Sequence, residues 1–315
     1  MDYQHTPVML KEVLEILDPR PGQNFIDGTL GGAGYSQAIA ERIKPGGKIL
    51  SLDLDETAIS HAEEIIKKKK IDNIILAHDN FKNLEEIVKE NFSSAPSFSG
   101  IVFDLGLSSA QLQSRDRGFS FAVVQSPLSM NFGQTGLSAE EIVNKWSEDE
   151  LTKIFRDYGE EKFSLRIARA IVDRRRTEEI KKVGQLVKII LDAIPKRLQS
   201  KSKIHPATKV FQALRIAVND ELNSLSKVLP QAINLLGPGG KIVVISYHSL
   251  EDRIVKQYFR QEAKDCLCPP AMPVCQCGHK ARLKLLFRKA MVPTEAEVEI
   301  NPRSRSAKLR AIEKI

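Results

Sequence analysis

The sequence predicts an α/β protein whose parallel, doubly wound sheet is interrupted by a helical insertion. Three observations carry that reading. Apolar strand patterns alternate with helical ones up to Leu105, the order that builds a parallel sheet. Helical patterns alone follow from about Leu137. A last strand then arrives after the turn Gly237-Pro-Gly-Gly240.

Taken in order, the strand candidates are Asn24–Ile26, Lys48–Leu52, Ile74–Leu76, Gly100–Phe103 and Lys241–Ser246, with helices at Ser36–Ile43, Glu56–Lys70 and Leu84–Asn91. In the insertion, Ser138-x-x-Glu141 and Ser147-x-x-Glu150 have the form of capping boxes. Leu165, Ala168 and Val172 form an apolar stripe opposite Arg166, Arg169, Asp173 and Arg176. Val210, Leu214, Val218, Leu222 and Leu225 step by three and four, which predicts one long helix. The expected organisation is a first sheet segment over 1–110, an inserted helical substrate-recognition domain over 111–213, and a second sheet segment with a basic tail over 214–315.

Phe25-Ile-Asp-Gly-Thr-Leu-Gly-Gly-Ala-Gly34 leads a strand through a glycine turn into a helix, where a backbone comes close to a nucleotide-like ligand. The second strand ends in Asp53 and Asp55, about 20 residues on, where a carboxylate binds ribose hydroxyls. A dinucleotide fingerprint requires one further glycine, and Gln37 stands there. Ribose without pyrophosphate points to S-adenosylmethionine on a Rossmann-like sheet. A dinucleotide-dependent oxidoreductase fits less well. A non-catalytic RNA-binding protein would leave Gly34, Asp53 and Asp104 unexplained.

No apolar run approaches the ~18 residues of a membrane span. Met1–His5 lacks the basic and apolar regions of a secretory signal, so a cytoplasmic protein is expected. Charge is unevenly placed: residues 1–114 are net −6, 115–213 net +6 and 280–315 net +6. Separated basic surface is the footprint of a polyanion binder, with solvated helix faces as the plainer alternative. Arg166, Arg169 and Arg176 are candidates for RNA backbone contacts, with Arg303 and Arg305 in the tail. All four cysteines fall in one segment, Cys266-Leu-Cys268 and Cys275-Gln-Cys277. In a cytoplasmic chain such a cluster reads as a structural zinc site or as free thiols in a surface loop; the one-residue spacing is tighter than in the common zinc knuckle.

Asp104 ends the fourth strand, at the edge where open α/β sheets bind ligands. His248 follows the fifth strand in Ser246-Tyr-His-Ser-Leu-Glu-Asp-Arg253, a proton acceptor or a hydrogen-bonded loop residue. Asn219, Asp220 and Glu221 are placed to brace or cap a site.

His5-Thr-Pro-Val-Met9, Asp27–Gly34, Asp104–Ser109, Arg117-Gly-Phe-Ser-Phe121, Ala207–Glu221, Tyr247–Arg253 and Asn301–Arg310 together resemble the MraW/RsmH family from about residue 4 to residue 314. The resemblance implies an S-adenosylmethionine-dependent methyltransferase acting on the N4 atom of a cytosine in the decoding (P-site) region of 16S ribosomal RNA. It implies cofactor contacts from Ala33, Gly34, Tyr35, Asp53, Phe81, Asp104 and Gln111. The chemistry of an amino acceptor, apart from the resemblance, makes Asp104 and His248 the catalytic candidates, since acceptors on its N–H groups favour pyramidalisation. Two segments depart from the family pattern: Tyr35 stands where the family usually has His, and Pro127-Leu-Ser-Met-Asn-Phe132 where it has Pro-Leu-Asp-Met-Arg-Met. An amino-methyltransferase of another RNA or of DNA is the neighbouring alternative. The DNA enzymes carry an (Asp/Asn/Ser)-Pro-Pro-aromatic motif where this chain reads Asp104-Leu-Gly-Leu107. Monomer and homodimer both remain open.

Overall fold

A computed structural model describes residues 7–93, 96–108, 111–112, 115–133, 136–200, 204–269, 272 and 274–315. His5, Thr6 and Ser109 of the segments quoted above lie outside the described residues. The chain divides into two compact units, one of 1–106 and 222–315, the other of 107–221.

The first unit is built on a seven-stranded sheet: β1 (Phe25–Asp27), β2 (Ile49–Asp53), β3 (Ile74–His78), β4 (Phe98–Asp104), β5 (Leu236–Ser246), β6 (Leu283–Leu285) and β7 (Lys308–Lys314). The order is β3-β2-β1-β4-β5-β7-β6. The first five strands are mutually parallel, as the alternating patterns predict. β7 runs antiparallel to both β5 and β6, so the sheet is mixed rather than wholly parallel. β7 escapes the sequence reading because it lies in the basic run. Its alternate residues Leu309 and Ala311 are buried, while Lys308 and Arg310 reach Asp252.

Strands covered on both faces need apolar residues at successive positions. Ile26, Leu50 and Ile101 enter a core on one face; Phe25, Ile49 and Val102 enter a core on the other.

The second unit has its own core, with Ile142, Leu151, Phe155, Ile167, Ile171, Leu186, Val210 and Leu214 among its buried members. Both predicted capping boxes are present, at Ser138/Glu141 and Ser147/Glu150. Two helical expectations are corrected. The helix Ser164–Arg175 buries Ile167, Ala168 and Ile171, leaving Leu165 43% exposed. Both stripes satisfy helical spacing, and packing onto the unit's core selects the one with two isoleucines. The long helix over Val210–Leu225 is two helices, Thr208–Asn219 and Glu221–Leu235. They break at Asp220, whose φ of +50° ends the first helix in the left-handed conformation. Among the described residues, no helix is long and apolar enough to cross a membrane.

Candidate active site

Five parallel strands deliver their carboxyl ends to one edge of the first unit. β1 leads into the turn Gly28–Gly34, β2 ends on Asp53, Phe81 follows β3, β4 ends on Asp104, and Tyr247 and His248 follow β5. This edge, where strand order reverses around β1 and β4, is where open α/β sheets bind ligands.

The glycine turn is fastened by its own amides. Gly28 N donates to Val102 O, Leu30 N to Leu52 O, and Ala33 N to Leu30 O. Thr29 N donates to Asp27 Oδ1 (3.2 Å) and Gly31 N to Asp53 Oδ2 (2.9 Å). A phosphate-cradling turn points free N–H groups at its ligand; here these five are engaged with the protein. The carboxylates add to the argument. Burial raises both Asp27 and Asp53 to about 6, and the remaining influences on them are backbone N–H groups, the Ser36 hydroxyl and neighbouring acids. An acidic edge disfavours pyrophosphate and suits a cationic, ribose-bearing ligand. Asp53 accepts from Gly31 N and from Asp55 N (2.9 Å), and a carboxylate has lone pairs left for a ribose diol. The residues present therefore fit S-adenosylmethionine.

Gly34 opens the helix Gly34–Arg42, with Ala33 before it in the left-handed conformation (φ 59°). A Cβ on Gly34 would lie 2.1 Å from Pro7 Cγ. The glycine is thus required by the chain's own N-terminal segment. Tyr35 is buried, and its hydroxyl donates to Val8 O at 2.5 Å, which fastens that same segment.

Asp104 is held at both ends. Its N–H donates to Thr29 Oγ1 (2.6 Å), and its Oδ1 accepts from the Tyr247 hydroxyl (2.7 Å). Burial pushes the carboxyl up to about 7; Tyr247 pulls it down, Asp27 pushes it up and Tyr35 pulls it down again. Burial and the adjacent Asp104 raise the Tyr247 phenol far above its ordinary value, so it remains a donor. Asp27, Thr29 and Tyr247 were not singled out as site residues from the sequence. Each lies at or just beyond a strand end, and that position was the available signal.

Phe81 stands half-buried just after β3, its ring edge-on to Phe103 at 5.9 Å. His248 caps the helix Ser249–Glu262, its Nδ1 accepting from Glu251 N at 3.4 Å. Its Nε2 lies 3.2 Å from Glu251 Oε1 without hydrogen-bond alignment. Gln111 belongs to the second unit, in a reciprocal pair with Ser108: Ser108 N to Gln111 Oε1 (3.0 Å) and Gln111 N to Ser108 Oγ (3.2 Å).

Also in the second unit, Asn219 fastens the departing loop 127–132. Its Oδ1 accepts from Phe132 N (2.9 Å) and its Nδ2 donates to Met130 O (2.8 Å). Arg166 and Arg169 line a cleft of about 420 Å³ with Arg174, Asp173 and Asp192. Arg176 does not line it and pairs with Asp173 (3.2 Å), while Arg169 pairs with Glu148 (2.9 Å). In the first unit's tail, Arg303 and Arg305 are exposed on either side of buried Ser304. Arg310 of the same run is drawn inward, 2.6 Å from Asp252.

A family model described as the MraW methylase family matches residues 2–315. A ribosomal RNA small subunit methyltransferase H of Heliobacterium mobile is 46% identical over 316 residues, covering 100% of both proteins. A protein of the same name from Dehalococcoides mccartyi is 49% identical, covering 100% of this chain and 87% of its own. A third, from Clostridioides difficile, is 42% identical and covers 100% of both. Among solved structures, a putative rRNA-methylase of Clostridium thermocellum aligns over 99% of this chain and 100% of its own, with 13% identity and a TM-score of 0.46.

Proposed function

The chain belongs to the MraW methylase family, a family of S-adenosylmethionine-dependent methyltransferases, and we propose that it methylates the N4 amino group of a cytosine in the decoding region of 16S ribosomal RNA. The whole-length likeness to small-subunit ribosomal RNA methyltransferases supports the substrate class. The observation that carries the amino-group chemistry is the Asp104 carboxylate at the end of β4, held by the Tyr247 hydroxyl, with the Asp104 backbone N–H fastened to Thr29 Oγ1.

Bound at the strand ends, S-adenosylmethionine supplies a methyl group already activated by attachment to positively charged sulfur. Asp53 would hold the ribose hydroxyls, and Phe81 would offer the cofactor an apolar contact. The protein's remaining task is to hold the acceptor in line, which contributes several kcal/mol. An exocyclic amine is a weak nucleophile because its lone pair is conjugated with the ring. A carboxylate accepting one of its N–H groups lets the nitrogen pyramidalise and balances the charge that develops there. Asp104 has that capacity, and its value near 7 leaves it able to take up the departing proton. His248 caps the helix whose Glu251 accepts from Tyr247 N. The base must leave its stack, which single-stranded or looped RNA allows most readily. The arginines of the second unit and tail supply phosphate contacts.

Two measurements test this. Thermal shift should respond to S-adenosylhomocysteine and not to NAD. Labelled methyl groups should enter small-subunit particles or their RNA, and not duplex DNA; label on DNA or protein alone would overturn the assignment.

A further inference from the structure

The chain's four cysteines lie between the helix Ser249–Glu262 and β6. The base of this segment is closed: Arg282 N donates to Glu262 O (2.8 Å), and the Arg282 guanidinium lies 3.6 Å from the Glu262 carboxylate. Among the described residues of 264–280 there is no helix or strand and no buried side chain. Its large apolar residues face out, with Leu267 39%, Met272 40% and Val274 69% exposed. A loop of this length without regular structure is uncommon in a compact unit. With no buried side chain among its described residues, it needs another source of order.

The thiols converge. Cys266 Sγ is 3.4 Å from Cys275 Sγ and 3.7 Å from Cys277 Sγ, and the latter two are 3.6 Å apart. All four sulfurs, Cys268 included, lie within 4.8 Å of one another. A disulfide would hold two of them at about 2.05 Å. A tetrahedron with metal–sulfur bonds of about 2.3 Å has sulfur–sulfur edges of roughly 3.8 Å, close to what is seen. The backbone supports charge on the sulfurs as well. Leu267 N points at Cys277 Sγ (3.3 Å), Cys268 N at Cys266 Sγ (3.4 Å) and Gln276 N at Cys268 Sγ (3.3 Å). Such donors stabilise thiolate ligands. The one-residue spacing within each pair is no obstacle, since both pairs bring their sulfurs into the same cluster.

We propose that Cys266, Cys268, Cys275 and Cys277 bind one structural zinc ion that pins the loop 263–282 onto the sheet unit. Four soft sulfur donors close the coordination sphere and leave no position for water or substrate, so the site orders the loop and performs no chemistry. Binding exchanges the thiol protons for Zn²⁺, the protons passing to solvent, with no change of oxidation state. The site is independent of the methyl-transfer reading.

The test uses full-length protein purified under reducing conditions without a metal-chelating column. Elemental analysis should find about one zinc per chain, and Cys275→Ser/Cys277→Ser protein should have lost it. In the unmutated protein, stripping zinc with a chelator should expose the loop 263–282 to limited proteolysis, and added ZnCl₂ should restore protection. Zinc well below one per chain would overturn the proposal. So would iron in its place, disulfides between these cysteines in the purified protein, or a loop equally resistant with and without zinc.

Discussion

The Tyr247 hydroxyl donates to Asp104 Oδ1 across 2.7 Å, joining the ends of the neighbouring strands β4 and β5. Without this donor the carboxyl would be higher still. Tyr247→Phe should therefore move the acid limb of the pH–rate profile upward from about pH 7, since a later deprotonation means a later gain of the acceptor. A lost hydrogen bond to a charged group, about 1.5–3 kcal/mol, corresponds to a shift of roughly 1–2 pH units. An unmoved limb would separate Asp104 from the rate.

The desolvated carboxyls at the strand ends also set a dependence of stability on pH. Asp27 at about 6 and Asp104 at about 7 lie above the ordinary carboxyl value in the folded protein. Between roughly pH 4 and 7 the native state holds protons that the unfolded chain has released, so these groups weaken folding as pH rises. Asp27→Asn keeps an acceptor for Thr29 N and removes the charge. Its melting temperature relative to the unmutated protein should be more favourable at pH 8 than at pH 5, by calorimetry at both values.

Asp53→Ala should weaken S-adenosylmethionine binding about ten- to hundredfold, the loss expected for a charge-assisted hydrogen bond. Part of that loss will come through the turn, because Asp53 also accepts from Gly31 N. Titration calorimetry on folded variant should show it; unchanged affinity would remove Asp53 from the site.

Gly34→Ala should destabilise the fold with no cofactor present, by about 1–3 kcal/mol for overpacking, because its Cβ would meet Pro7. Adding Pro7→Ala, which removes the offending Cγ, should recover part of the loss in denaturant unfolding. Strict additivity of the two substitutions would contradict the contact.

The basic residues should separate by role. Arg166→Ala/Arg169→Ala should lower RNA affinity and flatten its salt dependence, with cofactor affinity unchanged. Arg310→Ala should instead cost stability, because the nearly buried Asp252 would lose its 2.6 Å partner and be left with Lys308 at 3.6 Å. Filter binding across a salt series, together with thermal melts, distinguishes the two.

The first five strands and both capping boxes were legible because each rests on local pattern: apolar runs in one case, Ser-x-x-Glu in the other. β7 was not, since its lysines and arginines read as a tail until Asp252 shows where Arg310 and Lys308 go. The break at Asp220 was hidden because the apolar spacing continues across it. Within the candidate site, Asp53 and Asp104 could be read from their places at strand ends. The partnership of Tyr247 with Asp104 could not, because 143 residues separate them in the chain and only the pairing of β4 with β5 brings them together. Likewise Gly34 reads as a ligand-facing glycine until Pro7 is found beside it.

The central claim is most directly tested by the nucleoside that carries the transferred methyl group. Small-subunit particles from a strain lacking this enzyme, incubated with the protein and isotopically labelled S-adenosylmethionine, would be digested to nucleosides and analysed by mass spectrometry. Labelled N4-methylcytidine from a decoding-region fragment of 16S RNA, abolished by Asp104→Asn, is the expected result. Label on another nucleoside, or on cytidine outside that region, would contradict the account.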